Sequence, residues 1–110
     1  MRCSNLDDAL IPFEKLEGYS LNPDHSEGRH KAIVFQSALG LGLEGAEELR
    51  LALRNALATN DITPIERNPY GQKYQLDFEM TRYEKRAMLR SIWIIRDAES
   101  FPRLVTCYVL

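Results

Sequence analysis

Both histidines of the chain, His25 and His30, lie in the segment LNPDHSEGRHKAIVF, next to Arg29 and Lys31. An imidazole takes up and releases protons near neutral pH, and cationic side chains stabilise anions. The segment also lies where a loop should give way to a helix, whose first backbone N–H groups favour a bound anion. This grouping predicts a site for a phosphate or carboxylate at which protons can be transferred.

The same residues also have a purely structural interpretation. His25 could brace the loop, and Arg29 and His30 could point into solvent at the start of the helix. Lys31 could extend along Phe35 and bring its ammonium to water. The sequence leaves both interpretations open, since a pair of histidines without a further motif is found in many folded domains.

Hydroxyl groups form a second candidate cluster, near the end of the chain. Period-two alternation in FPRLVTCYVL places Leu104, Thr106 and Tyr108 on one face of a strand. The segment AMLRSIWIIR places Arg90 on one face and Ser91 on the other. The preference of Thr and Tyr for strands is an alternative explanation of this pattern.

Helical signals fill the first half of the chain. In IPFEKLEGY, Pro12 suits the first turn of a short helix and Gly18 its end. A second helix should begin between Ser26 and Arg29 and run to Leu39, and a third should cover residues 44–58. In the second helix, the residues expected to face the core together with Lys31 are Val34, Phe35, Ala38 and Leu39.

Strand signals fill the second half. KYQLDFEMT alternates between apolar and polar residues, which predicts a half-buried antiparallel strand. The strand with residues 92–95 should be central, the last segment should form another, and residues 62–66 a short fourth. The fold expected is an α+β domain with N-terminal helices packed on one face of a three- to four-stranded antiparallel meander. The core should include Phe35, Leu49, Leu53, Tyr74, Leu76, Phe78 and Trp93.

Composition limits the class of protein. At 110 residues and 45% hydrophobic content, residues 1–110 should form a single globular domain. The net charge of -2 differs from that of a dedicated nucleic-acid binder, and no apolar run or leader pattern predicts a membrane span or export. We therefore expect a cytoplasmic protein. Cys3 and Cys107 lack metal-ligand spacing, so we expect reduced thiols, no metal site and no cofactor.

The chain resembles a family of small uncharacterised bacterial domains from about Ile11 to Leu110. The resemblance depends on LNPDH at residues 21–25, GRHKA at 28–32, Phe35, YG at 70–71, RSIW at 90–93 and PRLVTCY at 102–108. This family is one of unknown function and implies no activity.

A more distant likeness concerns the order of the elements. A helical part with His and Lys, followed by a meander that ends in a Thr-x-Tyr strand, is similar to the barnase, EndoU, colicin and RelE-like ribonucleases of bacterial toxins. That likeness implies metal-independent cleavage of RNA by general acid/base catalysis. The catalytic residues would be His25, His30, Lys31, Thr106 and Tyr108. The substrate-binding residues would be Arg29, Arg90 and Ser91.

Two other functions remain open at this point. One is a non-catalytic module that binds a protein partner, such as a cognate antitoxin or an immunity-type protein. The other is a domain that binds a small molecule or carboxylate. Convergence of Lys31 and His25 with Thr106 or Tyr108 in one cleft would favour chemistry.

Overall fold

The structure is a computed structural model, and it describes residues 9–16, 21–22, 24–26 and 28–110. The helices are α1 (Phe13–Lys15), α2 (Arg29–Leu39) and α3 (Ala46–Thr59), and a 3-10 turn at Leu43–Gly45 precedes α3. The strands are β1 (Thr63–Asn68), β2 (Gly71–Arg82), β3 (Lys85–Arg96) and β4 (Arg103–Val109). The predicted α+β fold class is confirmed. Gly18 and Cys3 lie outside the described residues.

The predicted second helix ends where expected. Gly40 has a left-handed backbone with φ 63°, and its N–H donates to the carbonyl oxygen of Gln36. The expectation for its core face was wrong in one respect, because Val34 is 42% exposed. The helix is rotated so that Ala32, Phe35 and Leu39 face the core. As a result, Lys31 and Val34 border a surface cavity beside β4.

The four strands form an antiparallel meander in the order β1-β2-β3-β4, so β3 is an interior strand as predicted. The alternation of β2 is also confirmed, because its apolar residues are buried and the polar residues between them are partly or fully exposed. The helices pack against this apolar face, where α2 contacts β3 and β4 and α3 contacts β2. All seven predicted core residues are buried: Phe35, Leu49, Leu53, Tyr74, Leu76, Phe78 and Trp93.

The alternation predicted for β4 is interrupted. Thr106 pairs with Ile92 but Leu104 pairs with Trp93, so one extra residue is inserted between these pairs. This irregularity turns Leu104 into the core, whereas the prediction placed it on the face of Thr106 and Tyr108. Thr106 and Tyr108 lie beyond the irregularity and stay partly exposed.

Candidate functional site

Lys31 connects the first turn of α2 to the last strand. Its Nζ donates a hydrogen bond to Oγ1 of Thr106 at 3.1 Å and lies 5.6 Å from the centre of the Tyr108 ring. The second distance is that of a cation–π contact. The structure therefore brings together three of the predicted catalytic residues, from two parts of the sequence that lie 75 residues apart.

A cavity of about 230 Å³ opens at this contact. Its lining consists of His30, Lys31, Val34, Tyr108 and Val109. His30 is exposed, so its imidazole can meet a ligand without displacing core residues. The rotation of α2 explains this arrangement, because it brings the flank with Lys31 and Val34 against β4. A fourth predicted catalytic residue is thus at the cavity.

Arg90 extends the site across the sheet. It lies opposite Tyr108 of β4 on one side and Asp77 of β2 on the other. Its Nε and Nη2 donate to Oδ1 and Oδ2 of Asp77, both at 2.9 Å. These bonds and the negative charge of Asp77, with a smaller effect of the neighbouring Tyr108, raise the pKa of Arg90. The same Arg90 bonds lower the pKa of Asp77, so the pair is ionised at neutral pH.

His25 has a structural contact of its own. Its Nδ1 accepts the N–H of Gly28 at 3.0 Å, and its carbonyl oxygen accepts the N–H of Arg29 at 2.9 Å. Gly28 is the N-cap of α2 and offers no side chain for capping, so His25 satisfies a backbone donor there. The structure does not place His25 in the lining of the cavity. Arg29 is exposed as the first residue of α2 and is likewise not part of that lining.

Ser91 is not brought to the site, and its prediction as a substrate-binding residue is corrected here. It is fully buried, its Oγ donates to the carbonyl oxygen of Leu76 at 2.9 Å, and the same Oγ accepts the indole N–H of Trp93 at 2.8 Å. Side chains of successive strand residues point to opposite faces, so Ser91 faces the core while Arg90 faces outward.

Asp77 was not among the site residues predicted from the sequence. The alternation of β2 placed it on the polar face, but only the pairing register shows that it lies directly opposite Arg90. The sequence did contain a signal for this pair, because an acidic and a basic residue lie on the polar faces of two consecutive predicted strands.

Two observations concern other classes of function. Within the described ranges, no three His, Cys, Asp or Glu side chains lie close enough together to hold a metal ion. No helix in the described part of the chain has the length and apolar character needed to cross a membrane.

Comparison of the fold gives a similar solved structure. A chain in the structure titled contact-dependent growth inhibition toxin–immunity protein complex from Klebsiella pneumoniae 342 matches with a TM-score of 0.63 and 18% sequence identity. The match covers 89% of this chain and 94% of that chain. At this identity the likeness establishes a shared fold. No match was found among curated proteins.

The sequence itself matches a family model over residues 2–110, almost its whole length. The expected resemblance to a bacterial family of unknown function had a narrower range, from about Ile11 to Leu110. The chain belongs to the family described as Domain of unknown function (DUF6883).

Proposed function

We propose that this protein is a metal-independent, toxin-type endoribonuclease that cleaves RNA by general acid/base catalysis. The observation that carries the proposal is the contact of Lys31 with both Thr106 and Tyr108 at a cavity lined by His30. A cation, hydroxyl groups and an imidazole at one opening are the groups that this reaction needs. The fold shared with a chain of a toxin–immunity complex supports the toxin-associated part of the proposal.

The reaction assigns a task to each group. The 2'-oxygen of the ribose attacks phosphorus, the bond to the 5'-oxygen breaks, and a 2',3'-cyclic phosphate remains. His30 and His25 carry the two proton transfers, one from the attacking hydroxyl and one to the leaving oxygen. His30 acts from the cavity lining. His25 exchanges a proton at Nε2 only in the state in which its Nδ1 carries a proton and has released the N–H of Gly28, because a ring whose Nδ1 accepts this N–H has its proton on Nε2.

The charge that develops on the phosphate needs stabilisation from fixed donors. Lys31 and Arg90 supply positive charge next to Tyr108. Thr106 and Tyr108 supply hydroxyl donors to the non-bridging oxygens. Arg29, at the exposed start of α2, binds a neighbouring phosphate.

Incubation of the purified, folded protein with mixed cellular RNA in EDTA tests the proposal. We expect cleavage and fragments that end in a 2',3'-cyclic phosphate. Protein freed of any bound inhibitor by unfolding and refolding should be used, with its fold checked by circular dichroism. Intact RNA between about pH 5 and 8, the range in which imidazoles exchange protons, would refute the ribonuclease.

The alternative function is a non-catalytic module that binds a protein partner, including one half of a toxin–antitoxin pair. A separate surface favours it: Ile33 of α2 is 55% exposed and Leu43 is 43% exposed beside an apolar groove of about 470 Å³. Exposed apolar patches of this kind commonly bind proteins. Two results together would establish the module. RNA should stay intact in EDTA, and the protein should bind the product of a neighbouring gene in a way that Ile33→Glu abolishes.

A further inference from the structure

Asp77 determines how Arg90 is oriented beside Tyr108. Two parallel hydrogen bonds of 2.9 Å join the carboxylate to the Nε and Nη2 edge of the guanidinium. Such a bidentate pair fixes the plane of the guanidinium as well as its position. Nε2 of Gln75, on the same strand, lies 3.5 Å from Oδ2 of Asp77, a much longer contact than the two bonds to Arg90.

The bidentate pair leaves the other amino group of Arg90, Nη1, out of the bonds to Asp77. Tyr108 lies directly opposite Arg90 on β4 and also carries the Lys31 ammonium above its ring. Tyr108 therefore lies beside two cationic residues, one on α2 and one on β3. An anion beside this tyrosine would meet both charges, and the orientation of one of them depends on Asp77.

We propose that Asp77 is a positioning residue of the ribonuclease site, holding Arg90 so that its remaining donors meet the scissile phosphate beside Tyr108. The inference rests on the proposed function. Asp77 itself touches no reacting atom. An arginine released from Asp77 keeps its charge but spends less time in the productive orientation. Its loss should therefore lower the rate of the chemical step more than the affinity for RNA.

The first test compares Asp77→Asn with Glu99→Gln. Glu99 is a matched control, because it also holds an arginine by two bonds, accepting from Nε and Nη2 of Arg103 at 2.8 and 2.6 Å. Arg103 lies at the opposite end of β4 from Tyr108. We expect Asp77→Asn to lower the single-turnover cleavage rate by ~10-fold or more and to change the Kd of a 2'-deoxy substrate analogue by less than about 3-fold. Glu99→Gln should change neither.

The second test asks whether Asp77 acts through Arg90. In an Arg90→Ala background, Asp77→Asn should cause no further loss of rate, since the residue that it positions is gone. Arg90→Lys keeps the charge without the planar guanidinium, so its cleavage rate should fall as much as that of Asp77→Asn. This variant also provides a test if Asp77→Asn does not fold. Full activity of Arg90→Lys, or losses that add in the double variant, would overturn the inference.

The outcomes separate the inference from the function on which it rests. Faster cleavage or tighter binding by Asp77→Asn would identify Asp77 as a repulsive charge and overturn the positioning role alone. An active, folded Asp77→Asn protein with an unchanged rate would do the same. If the unsubstituted protein does not cleave RNA, the proposed function fails whether or not the protein binds the analogue, and the inference fails with it.

Discussion

Nη1 of Arg82 donates a hydrogen bond to the carbonyl oxygen of Gly40 at 2.7 Å. This contact ties the end of β2 to the C-terminal end of α2, where backbone carbonyls have no partner within the helix. Nε of the same guanidinium donates to Glu48 in the first turn of α3 at 2.9 Å. One side chain thus joins the sheet to both long helices, and α2 carries Lys31 at its other end.

Arg82→Ala should therefore destabilise the protein and loosen the placement of α2. We expect a lower Tm in thermal unfolding, and a larger decrease than for Arg86→Ala. Arg86 is the control because it lies exposed on the other strand of the same hairpin. Equal Tm values for the two variants would mean that the contacts of Arg82 with Gly40 and Glu48 contribute nothing measurable.

Phe78→Ala should destabilise by about 3 kcal/mol, the lower end of the range for a buried phenylalanine. Phe78 is 7% exposed and borders a groove between α3 and β2, so part of the space that it leaves is open to water. Urea unfolding measures the difference. Ile65→Ala on β1 is the control. Because Ile65 is 45% exposed, its replacement should lower the free energy of unfolding by less than about 0.5 kcal/mol.

Lys31→Ala should lower RNA cleavage by ~10²-fold or more while leaving Tm nearly unchanged. Lys31 donates to the neutral hydroxyl of Thr106 at a partly exposed position, so the loss of packing is small. Lys85→Ala, at the exposed start of β3, controls for the loss of one positive charge. A folded Lys31→Ala protein with full activity would remove Lys31 from the site.

Replacing each of the two histidines by alanine should affect the stability of the protein differently. His25→Ala removes the acceptor for the N–H of Gly28 and should destabilise by about 1 kcal/mol, as does the loss of a helix cap. His30→Ala removes an exposed side chain and should leave the free energy of unfolding nearly unchanged. In the RNA assay each variant should lose ~10²-fold or more in rate. If only His30→Ala loses activity at a temperature at which both are folded, His25 has the structural role alone.

The stability of the protein should fall at acidic pH because the Asp77 carboxylate becomes protonated. Its pKa is lowered, chiefly because Arg90 donates to the carboxylate, so the folded state binds the proton more weakly than the unfolded state. The stabilisation is fully present above the ordinary value of 3.8 and is lost as pH falls through the lowered pKa. Urea unfolding should show a constant difference between the wild type and Asp77→Asn from pH 7 to about pH 5, and a smaller difference near pH 3. A difference that persists at pH 3 would assign the effect to packing.

Much of the fold followed from local pattern. The alternation from Tyr74 to Met80 determines which face of the strand is buried, because a shift by one residue would bury Asp77 and expose Phe78. Gly40 likewise marks the end of α2, since its left-handed backbone suits a residue without a side chain. These features depend on near neighbours in the chain, so the sequence is sufficient to predict them.

The site was predicted only in part, for a physical reason. Whether Lys31 meets Thr106 depends on the rotation of α2, which the packing of Ala32 and Phe35 against the sheet determines. The extra residue in β4 also has no local signal, yet it moves Leu104 into the core and separates it from Thr106. Both are properties of tertiary packing.

The hydrogen bond between Lys31 and Thr106 joins residues 75 positions apart, whereas the strands of the meander pair with their sequence neighbours. Because closing a long loop costs more entropy than closing a hairpin, the sheet can form before α2 docks on β4. A partly folded chain would then have paired strands but lack the hydrogen bond between the Lys31 ammonium and the Thr106 hydroxyl. For a ribonuclease made inside a cell, this order of assembly would delay the appearance of activity until the last step of folding.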